Sequence, residues 1–224
     1  MSDLQVLTPY DATHGEGLGD WRYLLGELVA RFDTDGLAAG ARLAVAVSEV
    51  ADRLDHRPDV DLRPDHVVVR TRTAEVDAVT ALDVELAREV SALAVGAGAV
   101  ARPDLVRSLE LAIDTVDADV IRPFWKAVLD AAEVAGGFLV DPGRQLPALW
   151  FQDMDPPRTD RNRVHLDLTV PHDVAEQRVT AALAAGGHLV SDRRAPAFWV
   201  LADAEGNEIC VCTWQNRPDS GGGV

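Results

Sequence analysis

Four polar residues in the second half of the chain have the types to hold a cation or move a proton: Glu110, Gln152, His165 and Glu208. Each lies in a run of alternating apolar residues, and in an extended strand successive side chains point to opposite faces. Val164, Leu166, Leu168 and Val170 define one face, so His165 and Asp167 point to the other. By the same alternation Leu109, Leu111 and Ile113 send Glu110 to that side, and Ile209 and Val211 send Glu208, Cys210 and Cys212 there. Leu149 and Phe151 turn Trp150 and Gln152 with them. Two carboxylates, an imidazole and an amide suit a divalent metal of unidentified kind. The same set could supply a general base to an organic ligand, with Glu208 as the catalytic candidate. Cys210 beside Glu208 would bias a metal site towards softer ions. Asp167, Cys210, Trp125 and Trp150 are the candidate ligand contacts, the two tryptophans for an aromatic ligand. A sheet with one polar face alternates in this way whether or not it binds anything.

The elements that must position these residues come in two sets. In the first half, residues 20–32 carry Leu24, Leu25, Leu28, Val29 and Phe32 at helical spacing, and residues 36–54 do so with Leu43, Val47, Val50 and Leu54. The second of these helices stops before a turn at His56-Arg57-Pro58-Asp59. Residues 66–73 read as a β-branched strand, and Thr80 caps a third helix with Asp83 in its first turn. An early strand near Leu4–Leu7 fits as well. After the small residues of GAGAVARPD the chain repeats itself. LELAID (109–114) corresponds to VHLDLT (164–169), GGFLV (136–140) to GGHLV (186–190), and LWFQDM in pattern to GNEICV. Each copy reads strand, helix, strand, strand, and holds half a core that must pair to be buried.

Bulk composition narrows the partners. The chain has 224 residues and a formal charge of −16, which disfavours nucleic acid and anionic membrane surfaces, since both reward a basic face. No apolar run approaches the roughly 20 residues of a bilayer span, and MSDLQVLTPYDATHGEG has no basic-then-apolar pattern. A cytoplasmic location is expected. Cys210 and Cys212 stand two apart in one strand, too constrained for a normal disulfide, and read as reduced thiols.

The stretch NRVHLDLTV, a helix, GGHLV and FWVLADAEGNEICV resembles the glyoxalase/bleomycin-resistance/extradiol-dioxygenase (vicinal oxygen chelate) superfamily, closest to its glyoxalase-like subgroup. The resemblance covers about residues 105–215. It implies paired βαβββ modules forming a cup that often holds a divalent metal through the first and last strands of each module. By position those ligands are Glu110, Gln152, His165 and Glu208, with Glu110 where a histidine or glutamine is common and Gln152 where a glutamate is common.

The segment ADRLDHRPDVDLRPDHVVVRTRTAEVDAVTALDVELA (51–87) resembles pterin-4a-carbinolamine dehydratases. That pattern has a helix ending in His-His-Pro, a strand, a Thr-His pair and a helix opening Leu-Thr/Ser-x-x-Asp; Trp21 fits too. Three histidines would serve as base and acid for dehydrating a 4a-hydroxy pterin. This chain keeps His56 but has Arg57 and Ala74 at the other two positions. An arginine stays protonated and alanine does neither job, so the site is degenerate. His56 and Arg57 remain its catalytic candidates, Arg57 as a grip for an anion, and His66 could stand in by position.

The expected fold is therefore α+β: a pterin-dehydratase-like domain (1–98), a linker (99–107), paired βαβββ glyoxalase-like modules (108–216) and a disordered tail (217–224). The leading functional expectation is a small-molecule enzyme or binder acting through the cup, lyase-like if active. A dehydratase with an appended ligand-binding domain and a non-catalytic sequestering protein are the alternatives. A homo-oligomer is open, since such dehydratases assemble through sheets and helices, whereas paired modules close a cup within one chain.

Overall fold

The computed structural model describes residues 4–154, 166–170, 172–213 and 215–216. The chain divides into two compact units, Met1–Ser108 and Leu109–Val224. His165 and the tail 217–224 lie outside the described residues. Both units mix helices with sheet.

The first unit runs α1 (Pro9–His14), β1 (Arg22–Leu24), β2 (Glu27–Asp33), α2 (Leu37–Leu54), β3 (Asp59–Leu62), β4 (His66–Thr71), α3 (Ala81–Gly96) and β5 (Val100–Ala101). Its antiparallel sheet has the order β1-β2-β4-β3, with β5 also pairing β2. Residues 20–32 are thus a hairpin, not the helix expected from their spacing. Leu25 and Gly26 both adopt positive φ, 49° and 85°, which makes the two-residue turn whose twist matches antiparallel strands. Once those two residues are spent on the turn, Leu28, Ala30 and Phe32 alternate inward from β2. They meet Val67 and Val69 of β4 under α2 and α3, which bring Leu43, Val47, Leu86 and Val90. The segment read as a linker supplies β5, and Arg102 behind it pairs with Asp33 of β2. Trp21 is buried and donates its indole N–H to Ala87 O and Ser91 Oγ, both at 3.1 Å.

The second unit runs β6 (Glu110–Thr115), α4 (Ala118–Leu129), β7 (Ala132–Glu133), β8 (Leu139–Val140) and β9 (Ala148–Asp153). Then the pattern returns as β10 (Leu166–Thr169), α5 (Ala175–Ala184), β11 (His188–Arg194), β12 (Phe198–Ala202) and β13 (Glu208–Cys212). The two four-stranded sheets, β6-β9-β8-β7 and β10-β13-β12-β11, have the same connectivity. In each, the first and last strands of the module pair in parallel and the rest antiparallel. Ile121, Phe124 and Val128 of α4 and Val179 and Ala182 of α5 share one core with Leu149, Leu201, Ile209 and Val211. Neither module could bury that apolar surface by itself.

Candidate functional site

The most completely formed polar site lies in the first unit. Helix α2 ends because Asp55 takes a left-handed conformation (φ 47°) and Pro58 cannot continue a helix. The resulting turn, closed by His56 N–H to Ala51 O at 3.0 Å, points the imidazole inward, where it is only 5% exposed. Thr71 and Thr73 come from the helix-facing side of β4 and its continuation. Asp83 comes from the third position of α3, where it accepts the Thr80 backbone N–H at 2.8 Å and completes a capping box.

These residues converge on one carboxylate. Asp83 Oδ1 accepts from His56 Nε2 at 2.7 Å and from the Thr71 hydroxyl at 2.6 Å. Its Oδ2 accepts from the Thr73 hydroxyl at 2.8 Å, and Thr73 stands 2.7 Å from the Thr80 hydroxyl. Burial raises the Asp83 pKa, but the hydrogen bonds from His56, Thr71, the Thr80 backbone and Thr73 outweigh it and hold the carboxyl below the usual carboxylate range. The carboxylate faces Nε2, so in the neutral ring Nε2 carries the proton and Nδ1 carries the lone pair. Among the described residues Nδ1 has no hydrogen-bond partner. The arrangement is an oriented imidazole whose outer nitrogen can take up or give a proton.

Arg57 and Ala74, each one residue outside this network, are both exposed. His66 is not part of it: it pairs with Asp33 at the other end of β4 and binds the Asp65 carboxylate at 2.7 Å. Asp83 was legible in the sequence as a helix-capping acid, while its partnership with His56 was not. The signal available was Thr71 and Thr73 alternating on the same strand face.

The second unit brings together fewer of the expected residues. Glu110 pairs with Ala148, while Gln152 pairs with Asp114, four positions further along β6 and β9. At about 3.3 Å per residue that separates Glu110 and Gln152 by roughly 13 Å along the strands. The pair Leu111–Leu149 is the counterpart of Leu166–Ile209. One step back from Ile209 stands Glu208, and one step back from Leu149 stands Ala148, which has no donor atom. In this register Ala148, not Gln152, stands across from Glu110. Among the described residues, no three His, Cys, Asp or Glu side chains converge to hold a metal.

Asp167 and Cys210 are directly paired across β10 and β13. The Cys210 thiol is pushed up to about 12 by burial, then by its hydrogen bond to Asp167 and the charge there. It is a protonated thiol at neutral pH and a poor nucleophile. Trp150 is half-buried on the face away from the helices, stacked at 6.4 Å on Phe138. Trp125 is not on that face. It is a core residue whose indole N–H donates to Asp203 Oδ2 at 2.9 Å, so it is unavailable to a ligand.

Asp203 begins the DAEGNE turn and also accepts from Glu205 N, Asn207 N and Asn207 Nδ2. Glu205 accepts from Thr115 Oγ1 and from the backbone N–H groups of Val116 and Asp117 ahead of α4. This motif fastens one module to the other.

The family model described as pterin 4 alpha carbinolamine dehydratase matches residues 7–93, and that described as a glyoxalase-like domain matches residues 110–212. A pterin-4-alpha-carbinolamine dehydratase family protein of Metallosphaera sedula is 37% identical over 78 residues, covering 35% of this chain and 81% of the relative. One from Nocardia farcinica is 31% identical over 94 residues, covering 42% and 94%. Among solved structures, a mutant of the fosfomycin resistance protein FosX of Listeria monocytogenes, in complex with Mn(II) and a dihydroxypropylphosphonic acid, is 14% identical with a TM-score of 0.39. The match covers 48% of this chain and 90% of that one.

Proposed function

Because the chain belongs to the pterin-4a-carbinolamine dehydratase family through residues 7–93 and carries a glyoxalase-like domain over residues 110–212, we propose that it binds a flat, pterin-class heterocycle at His56 and dehydrates a 4a-hydroxy pterin only slowly. The glyoxalase-like unit is, on this reading, a ligand cup that works without a metal.

One observation carries the reading: the buried His56 imidazole, held by Asp83 at 2.7 Å, with Thr71 and Thr73 satisfying the rest of the carboxylate. A group so placed is ready to accept a ring N–H proton on Nδ1 and return it to the departing hydroxyl, leaving as water. Efficient dehydration asks for a base and an acid at once, and Arg57 and Ala74 supply neither. Each missing group costs on the order of 10²–10⁴ in rate.

The test is a 4a-hydroxy pterin dehydration assay followed by ultraviolet absorbance. The expected result is weak acceleration that disappears in His56→Ala. The double variant Arg57→His with Ala74→His should raise the rate on the order of 10² or more, because the network under it is already built. Wild-type turnover that survives His56→Ala would overturn the proposal, as would failure to bind any pterin.

A second reading places the activity in the cup. It is favoured by Trp150, half-buried against Phe138 on the face turned away from the helices. On that reading Glu208 is the general base, and Glu208→Gln abolishes activity while the fold is kept.

A further inference from the structure

We infer that the ligand of the His56 site carries an anionic substituent, a carboxylate or a phosphate, which Arg57 grips. This rests on the proposed heterocycle-binding role of that site and names the class of ligand it takes.

Position comes first. His56 gives Nε2 to Asp83 and Arg57 is the next residue; Thr73 gives its hydroxyl to the same carboxylate and Ala74 is the next residue. Both chain segments leave the buried network for solvent immediately beyond it, since Arg57 and Ala74 are exposed. An arginine side chain rooted one residue from the imidazole can reach a group on a ligand seated over Nδ1. Ala74 puts only a methyl group on the other segment.

The state of Arg57 is the second observation. Elsewhere in this unit arginines fold onto carboxylates two residues away: Arg31 onto Asp33 at 2.8 Å, Arg63 onto Asp61 at 2.9 Å and Arg102 onto Asp104 at 3.0 Å. Arg57 has an aspartate two residues away on either side, Asp55 and Asp59. Among the described residues it has no ion pair or hydrogen bond. In a chain of net charge −16, an arginine with no ion pair among the described residues, next in sequence to an oriented imidazole, is placed for an incoming anion. A guanidinium fork matches the two oxygens of a carboxylate or phosphate edge.

The experiment compares pterin-6-carboxylate with the uncharged 6-methylpterin by fluorescence titration of the whole chain, at low and at high salt. The carboxylate should bind about ten-fold tighter or more at low salt, and the advantage should shrink in high salt because Arg57 is exposed. Arg57→Gln should erase the advantage and Arg57→Lys should keep part of it. Equal affinity for the two pterins, or a preference that persists in Arg57→Gln, overturns the inference while leaving heterocycle binding in place. If neither pterin binds, the proposed role of the site fails and the inference fails with it.

Discussion

Trp125 Nε1 donates a 2.9 Å hydrogen bond to Asp203 Oδ2, joining the helix of one module to the turn before the last strand of the other. A buried carboxylate is tolerated there because the Trp125 indole N–H, the Asn207 side chain and two backbone N–H groups all point at it. The acidic turn and the tryptophan are halves of one structural joint.

Asp203→Ala therefore leaves several donors without their acceptor and should cost about 3 kcal/mol. Trp125→Phe removes one donor and part of a core side chain, and should cost about 2 kcal/mol. Urea unfolding followed by far-ultraviolet circular dichroism measures both. A change below about 0.5 kcal/mol in Asp203→Ala, within the range of ordinary surface substitutions, would show that the joint is not structural.

Asp83 predicts a pH dependence. Its carboxyl is held below the usual range in the fold, whereas in the unfolded chain it titrates near the ordinary value of about 3.9. As the pH falls, the unfolded state binds the proton first. The contribution of Asp83 is thus fully present above the unfolded value and is lost as pH falls through the folded one. Asp83→Asn should flatten this acid limb and cost about 3 kcal/mol at neutral pH. An unchanged acid limb in the variant would rule out Asp83 as its source.

Cys210 predicts an absence of reactivity. With its thiol pushed up to about 12 by burial and by Asp167, a disulfide-exchange reagent at neutral pH should not label it in the folded protein and should label it once denatured. In alkali the unfolded thiol ionises before the folded one, so its share of the stability is lost as pH rises beyond about 8.5. Labelling of Cys210 in native protein, located by peptide mass spectrometry, would contradict this.

Ala148 predicts the outcome of a metal titration. A site occupied at about 100 times its dissociation constant adds about 2.7 kcal/mol, enough to raise Tm by several degrees. Mn(II), Zn(II) and Ni(II) should instead shift Tm by less than about 1 °C. A saturable increase of several degrees, lost in Glu208→Gln, would mean that a chelating set forms despite the alanine.

How much could be read beforehand differs between the two levels of the molecule. The repeated motifs carried the second unit's architecture, because LELAID and GGFLV return as VHLDLT and GGHLV around a helix whose apolar face must find a partner. The polar face of β6, β9 and β13 also followed from alternation. Alternation fixes a face but not a position along the strand, so it could not distinguish Gln152 from Ala148 as the residue beside Glu110. The hairpin at residues 22–33 was hidden for a related reason. Leu24, Leu25, Leu28, Val29 and Phe32 satisfy a helical period, and only the conformation of Leu25 and Gly26 turns them into two strands. Asp83 was concealed by having a sufficient local explanation as a capping acid.

The reach of Glu205 to Thr115, Val116 and Asp117 bears on how the tandem copies can be handled. The first module's opening helix takes its anionic complement from the turn before the second module's last strand, so the two copies are not interchangeable parts. Expressed alone, residues 109–154 would present bare amide protons where a carboxylate now sits, and no swap of equivalent segments between copies would restore it. The symmetry of the repeat is broken at this one side chain.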